Sequence, residues 1–278
     1  MSGALQERFS RIAAFKPVVR REPVVAKAAD CRDDLLARIG GEIGRNHYGE
    51  YVVSRQWYAT PQMCEPSTEV LRLLLPLKCD RIAGMLQHAI DPEKWLFVDT
   101  ETTGLAGGTG TLAFMVGIAR IERDVLAITQ WVLEGFSGES AMLDALSCQL
   151  LRHAALASYN GKSFDVPLLR TRFALCRRPD AFRAMAHADL FHAARRIARH
   201  RACPDLRLAS IESHWLGSTR ADDLPGSAAP AAWRRWLSDG VADELAAVVR
   251  HNRRDLIGLA ALTAWAGRIS AGLFAAAC

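Results

Sequence analysis

The chain has 278 residues, of which 50% are hydrophobic and 23% are charged, which indicates a globular protein with one large domain or one domain and an appendage. The seven cysteines are odd in number, widely spaced and without a CxxC pair, so they indicate neither a disulfide framework nor a zinc site. Lys and Arg number 35 against 30 Asp and Glu, a bias compatible with a polyanionic partner and equally with solvated, arginine-rich helix faces.

No segment has the apolar length of a signal peptide or of a membrane-spanning helix. The N-terminal sequence MSGALQERFSRIAAFKPVVRR is interrupted by charges, and Arg268 breaks the apolar C-terminal run well short of a membrane span. The cysteine pattern fits a reducing compartment. We therefore expect a soluble, cytoplasmic protein that has no membrane partner.

The beginning of the chain gives weak structural signals. Residues 1–30 are basic and lack a sustained hydrophobic period, which predicts a loosely attached leader. The segment 40–58 contains two β-prone runs around RNHYGE, which predicts a hairpin, and a helix is predicted over 67–88.

A break at Asp91-Pro92 separates an N-terminal region of unknown role, residues 1–90, from a strongly patterned domain, residues 91–270. This domain begins with three strands on short links, which predicts an antiparallel meander. It continues with strands that alternate with helices, which predicts parallel crossovers. The predicted strands span 95–102, 114–121, 127–134, 156–160 and 186–191; the predicted helices span 139–153, 164–177, 206–216 and 242–266, with a loop over 222–230. We therefore predict an α/β fold, in which a mixed β-sheet of three antiparallel strands followed by parallel strands is flanked by helices.

The segment WLFVDTETTG places two carboxylates on one strand. Side chains alternate across a strand, so Asp99 and Glu101 share a face with Phe97. Two acids at the end of an apolar strand repel each other and lose hydration unless a cation lies between them, and a hard divalent metal suits their oxygens. An isolated DxE motif more often simply reaches solvent at a strand end.

A third acid follows a later predicted strand. In YNGKSFDVPLLRTRF the strand ends at Asn160, and Asp165 falls in the first turn of the next helix. This position can aim a carboxylate at a site above the strand ends. It is also typical of a carboxylate that caps a helix.

The fourth acid lies on the long C-terminal helix. His251 and Asp255 are four residues apart and share a helix face with Val248, Leu259 and Leu262. An acid on such an apolar face needs a compensating cation, which a metal, an Arg or His251 itself would supply.

Taken in this order, DxE on a first strand, Nx₃FD after a later strand and Hx₃D on a terminal helix resemble the three exonuclease motifs of the DEDD superfamily. That superfamily includes ribonuclease D-like enzymes and the proofreading exonucleases of DNA polymerases, those of family B among them. The longer strings FVDTETTGLAGGTGT, SYNGKSFDVPLLRTRF, ADLFHAARR and RADDLPG before HNRRD resemble more closely the bacterial YprB-type ribonuclease H-like family. The resemblance covers residues 40–265.

The resemblance implies a ribonuclease H-like fold and a nuclease that uses two Mg²⁺ or Mn²⁺ ions. It implies that Asp99, Glu101, Asp165 and Asp255 are the metal ligands, and that His251 orients or deprotonates the attacking water. The superfamily has a Tyr four residues before the last Asp or a His five before it; here a His stands at the tyrosine spacing. The implied activity is 3′ to 5′ exonuclease cleavage at a single-stranded DNA or RNA end.

Residues around these acids are candidates for contact with nucleic acid. They are Thr102, Gly104, Asn160, Lys162 and Phe164, of which the last could stack on a terminal base. Lys162, Arg172 and the arginines between 195 and 201 are candidates for phosphate contacts. The glycine-rich turn 105–111 either admits a nucleic-acid backbone or only connects two strands. Asp189 either supports the site or caps the helix that follows it.

Two other functions compete with the nuclease. A noncatalytic nucleic-acid-binding module would retain the fold and the basic surface, and the departure of HNRRD from the superfamily pattern favours it. A metal-dependent phosphohydrolase of a small phosphorylated metabolite would need a closed pocket instead of an open groove. The sequence names no protein partner.

Overall fold

The computed structural model describes residues 29–59, 92–104, 110–123, 125–199, 201–220 and 223–275. The predicted helix over 67–88 and almost all of the predicted leader lie outside these ranges. Within the described residues, no helix combines the length and the apolar character needed to cross a lipid bilayer.

One mixed β-sheet organises the described part of the chain. Its strands are β1 (Gly41–Asn46), β2 (Gly49–Ala59), β3 (Trp95–Thr102), β4 (Ala113–Glu122), β5 (Val125–Val132), β6 (Ala155–Ser158) and β7 (Ala186–Asp189). They lie in the order β1-β2-β5-β4-β3-β6-β7. The strands β3, β4 and β5 are antiparallel neighbours, and β6 and β7 continue the sheet parallel to β3. This arrangement confirms the predicted mixed sheet of antiparallel followed by parallel strands.

Helices cover both faces of this sheet. They are α1 (Ala29–Ile39), α2 (Glu139–Leu150), α3 (Asp165–Leu175), α4 (Leu190–Ile197), α5 (Leu208–Ile211), α6 (Ala229–Asp239) and α7 (Ala242–Ala275). A π-helical turn, Glu212–Leu216, continues α5, so the predicted helix over 206–216 is a shorter and less regular element.

The predicted hairpin is confirmed, and it extends the main sheet. Its strands β1 and β2 are antiparallel, and β2 pairs with β5, with Ser54 opposite Gln130. The helix α1 precedes the hairpin and packs against α7. The hairpin of the N-terminal region is therefore part of the same sheet as the predicted acids.

Alternation along β3 divides the interior into two cores, as the sequence pattern predicts. Leu96 and Val98 belong to a core with Val248 of α7, whereas Trp95 and Phe97 belong to a core with Leu259. The long helix α7 packs against β3, β4 and β5 and reaches both cores. The part of α7 that faces the sheet beside Asp99 is therefore held in position, because buried residues of α7 precede and follow it in the helix.

The sequence predicts no counterpart of α1 or α6, whereas α4 is the helix that it places after Asp189. The helix α4 begins directly after β7 because Asp189 caps it, so the predicted strand over 186–191 ends at residue 189. The helix α6 begins at the end of the predicted loop over 222–230 and continues through residues for which the sequence predicts no element. It forms because Trp233 and Trp236, one helical turn apart, are buried. Their indole N–H groups donate to the carbonyls of Leu133 and Glu134, at 2.7 and 3.2 Å.

Candidate active site

The predicted acids lie at one edge of the sheet. Because β3, β6 and β7 are parallel, their carboxyl ends meet there, and clefts at such ends are the usual ligand sites of open α/β sheets. Asp99 and Glu101 are near the end of β3, and Asp165 opens α3 after β6. Asp255 comes from α7, which packs over β3.

The environment of Asp99 and Glu101 opposes ionisation. Burial raises the pKa of Asp99 well above its ordinary value, and repulsion from Asp255, Asp165 and Glu101 raises it further. Burial likewise raises the pKa of Glu101, with added repulsion from Asp255 and Asp165. Asp99 is repelled by the other three acids and Glu101 by two of them, so the structure brings the four predicted acids into one neighbourhood.

Asp165 is held by the end of β3. The hydroxyl of Thr100 donates a hydrogen bond to Oδ1 of Asp165. Burial raises the pKa of Asp165 to about 6, although hydrogen bonds from Thr100 and the helix backbone lower it. The nearby Gly161 leaves room for this carboxylate, since a Cβ there would lie 3.0 Å from Oδ2 of Asp165 and closer still to Ser158.

Asp255 differs from the other three acids because it is paired with a cation. Its Oδ1 lies 2.6 Å from the guanidinium of Arg220. Arg220 also binds both carboxylate oxygens of Glu212, at 2.6 and 2.7 Å, and lies 3.0 Å from Asp223. These contacts raise the pKa of Arg220 against the effect of burial.

His251 lies between two carboxylates. Its Nδ1 is 3.0 Å from Oδ2 of Asp223, and its Nε2 is 3.3 Å from Oδ2 of Asp255. The carboxylate of Asp223 is further contacted by Arg254 at 3.2 Å. Burial alone would raise the pKa of Asp223, but hydrogen bonds from Arg220 and His251 lower it. The imidazole is thus next to the predicted metal ligand Asp255, and each of its nitrogens lies within 3.3 Å of a carboxylate oxygen.

A row of small and polar residues crosses the sheet beside Asp99. Asp99 is paired with Gly117 on β4, Gly117 with Gln130 on β5, and Gln130 with Ser54 on β2. Asn252 of α7 lies over this row: it accepts a hydrogen bond from Gln130 at 2.8 Å and donates one to Asp99 at 2.7 Å. A Cβ on Gly117 would lie 2.1 Å from Oδ1 of Asn252, so only glycine leaves room for the amide.

The same row is anchored from α7 by Arg253. Its Nε donates to Oε1 of Gln130 at 3.0 Å, and it also reaches Ser54 and the carbonyl of Ile39 at 3.4 Å. Both Gln130 and Asn252 are fully buried. Since a buried polar group without partners destabilises the fold, this chain of hydrogen bonds fixes the side-chain orientation of Asn252 and through it that of Asp99.

The predicted substrate contacts fall close to the acids in sequence and differ in exposure. Thr102 donates to the carbonyl of Gly104 at 2.9 Å, which closes the end of β3. Asn160 adopts a positive φ of 64°, in the turn between β6 and α3. Lys162 and Phe164 are exposed in the same turn, the ring at 55%. Residues 105–109 of the glycine-rich turn lie outside the described residues.

Two of the other candidates have structural partners. Arg172 forms a two-armed ion pair with Glu139 instead of an exposed phosphate contact, so the sequence interpretation of Arg172 is corrected. Asp189 caps α4 by accepting from the N–H of Phe191. It also accepts from the N–H groups of Asn160 and Lys162, at 2.7 and 2.9 Å, and so ties the turn before Asp165 to α4.

The donors fit a hard divalent cation, although they do not form a closed cage. Glu101 is 7% exposed, yet within the described ranges it has no hydrogen-bond or ion-pair partner, which a metal would supply. Among the described residues, no group of three or more His, Cys, Asp or Glu side chains is drawn together as a ready metal site. The carboxylates are neighbours, and Asp255 is held by Arg220.

Sequence reasoning missed the residues that connect these acids. They are Gln130, Glu212, Arg220, Asp223 and Asn252. The strings RADDLPG and HNRRD contained three of them, but nothing local distinguishes a buried arginine or asparagine from one on a solvated surface. Gln130 and Glu212 gave no separate signal.

The sequence model of the RNase H superfamily matches residues 96–267, more than half of the chain and all four acids. The chain therefore belongs to the RNase H superfamily. The uncharacterized protein YprB of Bacillus subtilis (strain 168) is 35% identical over 167 residues, which are 60% of this chain and 40% of that protein. This similarity confirms the resemblance to the YprB-type family.

Solved structures of exonuclease I are similar at lower identity. Escherichia coli exonuclease I in complex with a dT13 oligonucleotide has 13% identity and a TM-score of 0.45, over 65% of this chain and 42% of that one. A second exonuclease I structure has 13% identity and a TM-score of 0.43, over 65% and 43% of the two chains. The chain spans 40 to 43% of the length of these relatives.

Proposed function

We propose that the chain is a divalent-metal-dependent nuclease of the DEDD type, which hydrolyses phosphodiester bonds of nucleic acid. The observation that carries the proposal is the group Asp99, Glu101 and Asp165. These acids meet at the carboxyl end of β3 and, within the described residues, none is bound by a cationic side chain. Their repulsion and burial are unfavourable until cations join them. Membership of the RNase H superfamily supports the same chemistry.

Four carboxylates would hold the metal, namely Asp99, Glu101, Asp165 and Asp255, and the preferred ions are two Mg²⁺ or Mn²⁺ because all donors are hard oxygens. When bound, such ions make a water nucleophilic at neutral pH and stabilise negative charge on the leaving oxygen. The protein groups around them orient the carboxylates: Asn252 fixes Asp99 and Thr100 fixes Asp165.

His251 is proposed as the group that takes the proton of the attacking water. It lies next to Asp255 and is partly buried, at 14% side-chain exposure. A general base of this kind contributes about 10²- to 10⁴-fold to the rate. Its contacts to Asp223 and Asp255 hold the ring in one orientation.

A single-stranded DNA or RNA end is proposed as the substrate, cleaved from 3′ to 5′. Phe164 is exposed beside Asp165 and offers a stacking surface for a terminal base. Lys162, exposed in the same turn, offers a charge for a phosphate, and Thr102, Gly104 and Asn160 are proposed as further contacts to the substrate.

The basic face of α4 extends this proposed path. His192, Arg195 and Arg196 of α4, together with Arg199 just beyond its end, follow the spacing of one helix face, are exposed and line a cavity of about 370 Å³. Asp189 caps this helix and also accepts a hydrogen bond from the N–H of Lys162 in the turn before Asp165. A negatively charged backbone leaving the acids would therefore meet this face next.

One observation favours a second candidate, a noncatalytic nucleic-acid-binding module. Arg220 binds Asp255, and both nitrogens of His251 face carboxylates, so an ion pair network occupies part of the predicted catalytic group. Such a module would bind nucleic acid through the same basic face and would not need a divalent metal.

The test is cleavage of end-labelled single- and double-stranded DNA and RNA by the full chain with Mg²⁺, Mn²⁺ or a chelator. The wild type is compared with Asp255→Ala and with Asp239→Asn, which changes an exposed acid on α6. We expect metal-dependent ladders of products from single-stranded 3′ ends for the wild type and Asp239→Asn, and none for Asp255→Ala. Wild-type protein that binds these strands equally well in chelator and cleaves none of them would support the binding module instead.

A further inference from the structure

The two halves of the acid site differ in how their charges are balanced. Glu212, Asp223 and Asp255 are opposed by two arginines, Arg220 and Arg254. Arg220 is the more deeply placed of the two, with 9% of its side chain exposed against 39% for Arg254. Without any metal, the two arginines therefore offset two of the three negative charges in this half of the site.

The other half holds Asp99, Glu101 and Asp165 without a cation. Within the described residues, Asp99 is bound by the amide of Asn252 and Asp165 by the hydroxyl of Thr100, both of them neutral donors. Glu101 has neither a hydrogen bond nor an ion pair there. A divalent cation that approaches the site is therefore attracted most strongly to this half.

Arg220 makes the four acids unequal as metal ligands, because among them it pairs with Asp255 alone. Its guanidinium lies 2.6 Å from Oδ1 of Asp255, so this oxygen is already occupied by an ion pair. A second divalent cation bound by Asp255 would have to compete with this charge, and two neighbouring cations repel each other. The arrangement thus separates the four acids into three that are available and one that is held.

The contacts of Arg220 also provide for the release of Asp255. Glu212 binds the guanidinium through both oxygens and is itself 4% exposed. Gly258 of α7 makes room for it, since a Cβ there would lie 1.5 Å from Oε1 of Glu212. When Asp255 leaves, Arg220 therefore keeps a two-armed partner and does not become an unpaired buried charge.

We propose that Arg220 is a built-in cation that holds Asp255 in the metal-free protein, so that divalent cations enter in order. The first binds among Asp99, Glu101 and Asp165. The second binds only as Asp255 exchanges Arg220 for the metal. This inference rests on the proposed function, because it assumes that the four acids are metal ligands. It adds a positioning residue and an order of binding to that function.

The test is a calorimetric titration of the full chain with Mn²⁺, with free Mn²⁺ followed in parallel by electron paramagnetic resonance. We expect two steps for the wild type, the second at least about tenfold weaker than the first, because it must displace an ion pair. The variant E212Q/R220Q removes one charge of each sign and leaves neutral amides in their place. In this variant we expect the second step to tighten at least about tenfold and the first to change by less than about threefold.

Two further variants separate Arg220 from general effects of charge. R220K keeps the positive charge and is expected to retain the ordered binding. E42Q/R55Q removes an ion pair of the hairpin β1-β2 and is expected to leave both steps unchanged. Circular dichroism confirms that each protein titrated is folded.

The results distinguish this inference from the proposed function. Two steps of equal affinity in the wild type, or a second step that E212Q/R220Q leaves unchanged, would overturn the role of Arg220 while leaving the metal site intact. The absence of any Mn²⁺ binding to the wild type would contradict both proposals. Because the first of these results needs only wild-type protein, the inference can be overturned even if the variants do not fold.

Discussion

Asn252 donates a hydrogen bond from Nδ2 to Oδ2 of Asp99, at 2.7 Å, although the two residues are 153 positions apart in the sequence. The amide can reach the acid because Gly117, between them on β4, has no side chain. The carbonyl oxygen of the same amide accepts from Gln130. The orientation of the acid is thereby linked to the central strands and to the long helix α7.

Replacement of Asn252 is expected to affect activity and stability together. Asn252→Ala leaves Asp99 without its hydrogen-bond donor and removes one of the acceptors of the Gln130 amide, which costs about 1 to 3 kcal/mol of the free energy of unfolding. Loss of the group that orients Asp99 is expected to lower Mn²⁺ affinity and cleavage rate about 10- to 100-fold. Denaturant unfolding and cleavage rates measure the two effects. Asn46→Ala, which removes a hydrogen bond to the carbonyl of Ala141, is the control and should lower stability alone. Equal cleavage rates for both variants would exclude a role for Asn252 in orienting Asp99.

A methyl group at residue 117 is expected to disturb the same contact. In Gly117→Ala, the new Cβ would lie 2.1 Å from Oδ1 of Asn252 and 2.8 Å from Leu256, so α7 must shift. Overpacking of this kind destabilises by about 1 to 3 kcal/mol. The matched control is Gly135→Ala, where the backbone is extended and a Cβ would meet nothing within 4 Å. The midpoint of thermal unfolding should fall for the first variant only, and a similar fall for both would contradict this account of Gly117.

Stability is expected to depend on pH through His187. Burial lowers the pKa of His187 to about 4 from its ordinary value of 6.5. The charged groups that also act on it are Lys162, Asp189, Arg170 and His192. Its Nε2 lies 2.7 Å from the hydroxyl of Ser158. The unfolded chain therefore takes up this proton at a higher pH than the folded protein, so acidification from pH 6.5 to 4 favours unfolding through this group.

His187→Gln removes that contribution. Compared with the wild type, the variant should lose about 2 kcal/mol less of the free energy of unfolding between pH 6.5 and pH 4. The difference between the two proteins isolates His187 from the buried acids, which titrate in both. Parallel pH curves for the two proteins, measured by urea unfolding, would show that His187 titrates normally.

The basic face of α4 is expected to contribute to nucleic-acid affinity and its salt dependence. Each of Arg195→Gln and Arg199→Gln should weaken binding of a single-stranded oligonucleotide without sequence preference, and should reduce the slope of log K against log salt by about one at most. Arg183→Gln and Arg234→Gln change exposed arginines elsewhere and serve as controls. Fluorescence anisotropy at several salt concentrations measures the slopes. Identical slopes for both pairs of variants would remove α4 from the proposed path.

The sequence predicts the local elements well, because their signals lie within short windows. Alternation in WLFVDTET places Asp99 and Glu101 on one face of β3, and the order of strands and helices indicates the mixed sheet. The confirmed hairpin at residues 41–59 has the same local origin. Its attachment to β5 was beyond prediction, since strand pairing over long separations leaves no local pattern.

The network around the acids depends on tertiary structure. Gln130 and Asn252 are 122 positions apart, and each is an ordinary polar residue in its own segment. The pairing of Arg220 with Glu212 could not be predicted, because it depends on the π-helical turn that brings Glu212 over Gly258 of α7. The sequence therefore predicts which acids are available, and the structure adds what orients and neutralises them.

The most direct test of the proposed nuclease is the rate of cleavage of a single-stranded 3′ end by wild-type protein and Asp99→Asn at saturating Mg²⁺. The substitution keeps the shape of the side chain and its place beside Asn252, but removes the negative charge that would bind metal. We expect metal-dependent cleavage by the wild type and a loss of about 10²- to 10³-fold in the variant, the range typical of removing one group that stabilises charge in an active site. Equal rates for the two folded proteins, or wild-type cleavage that persists in chelator, would contradict the proposal.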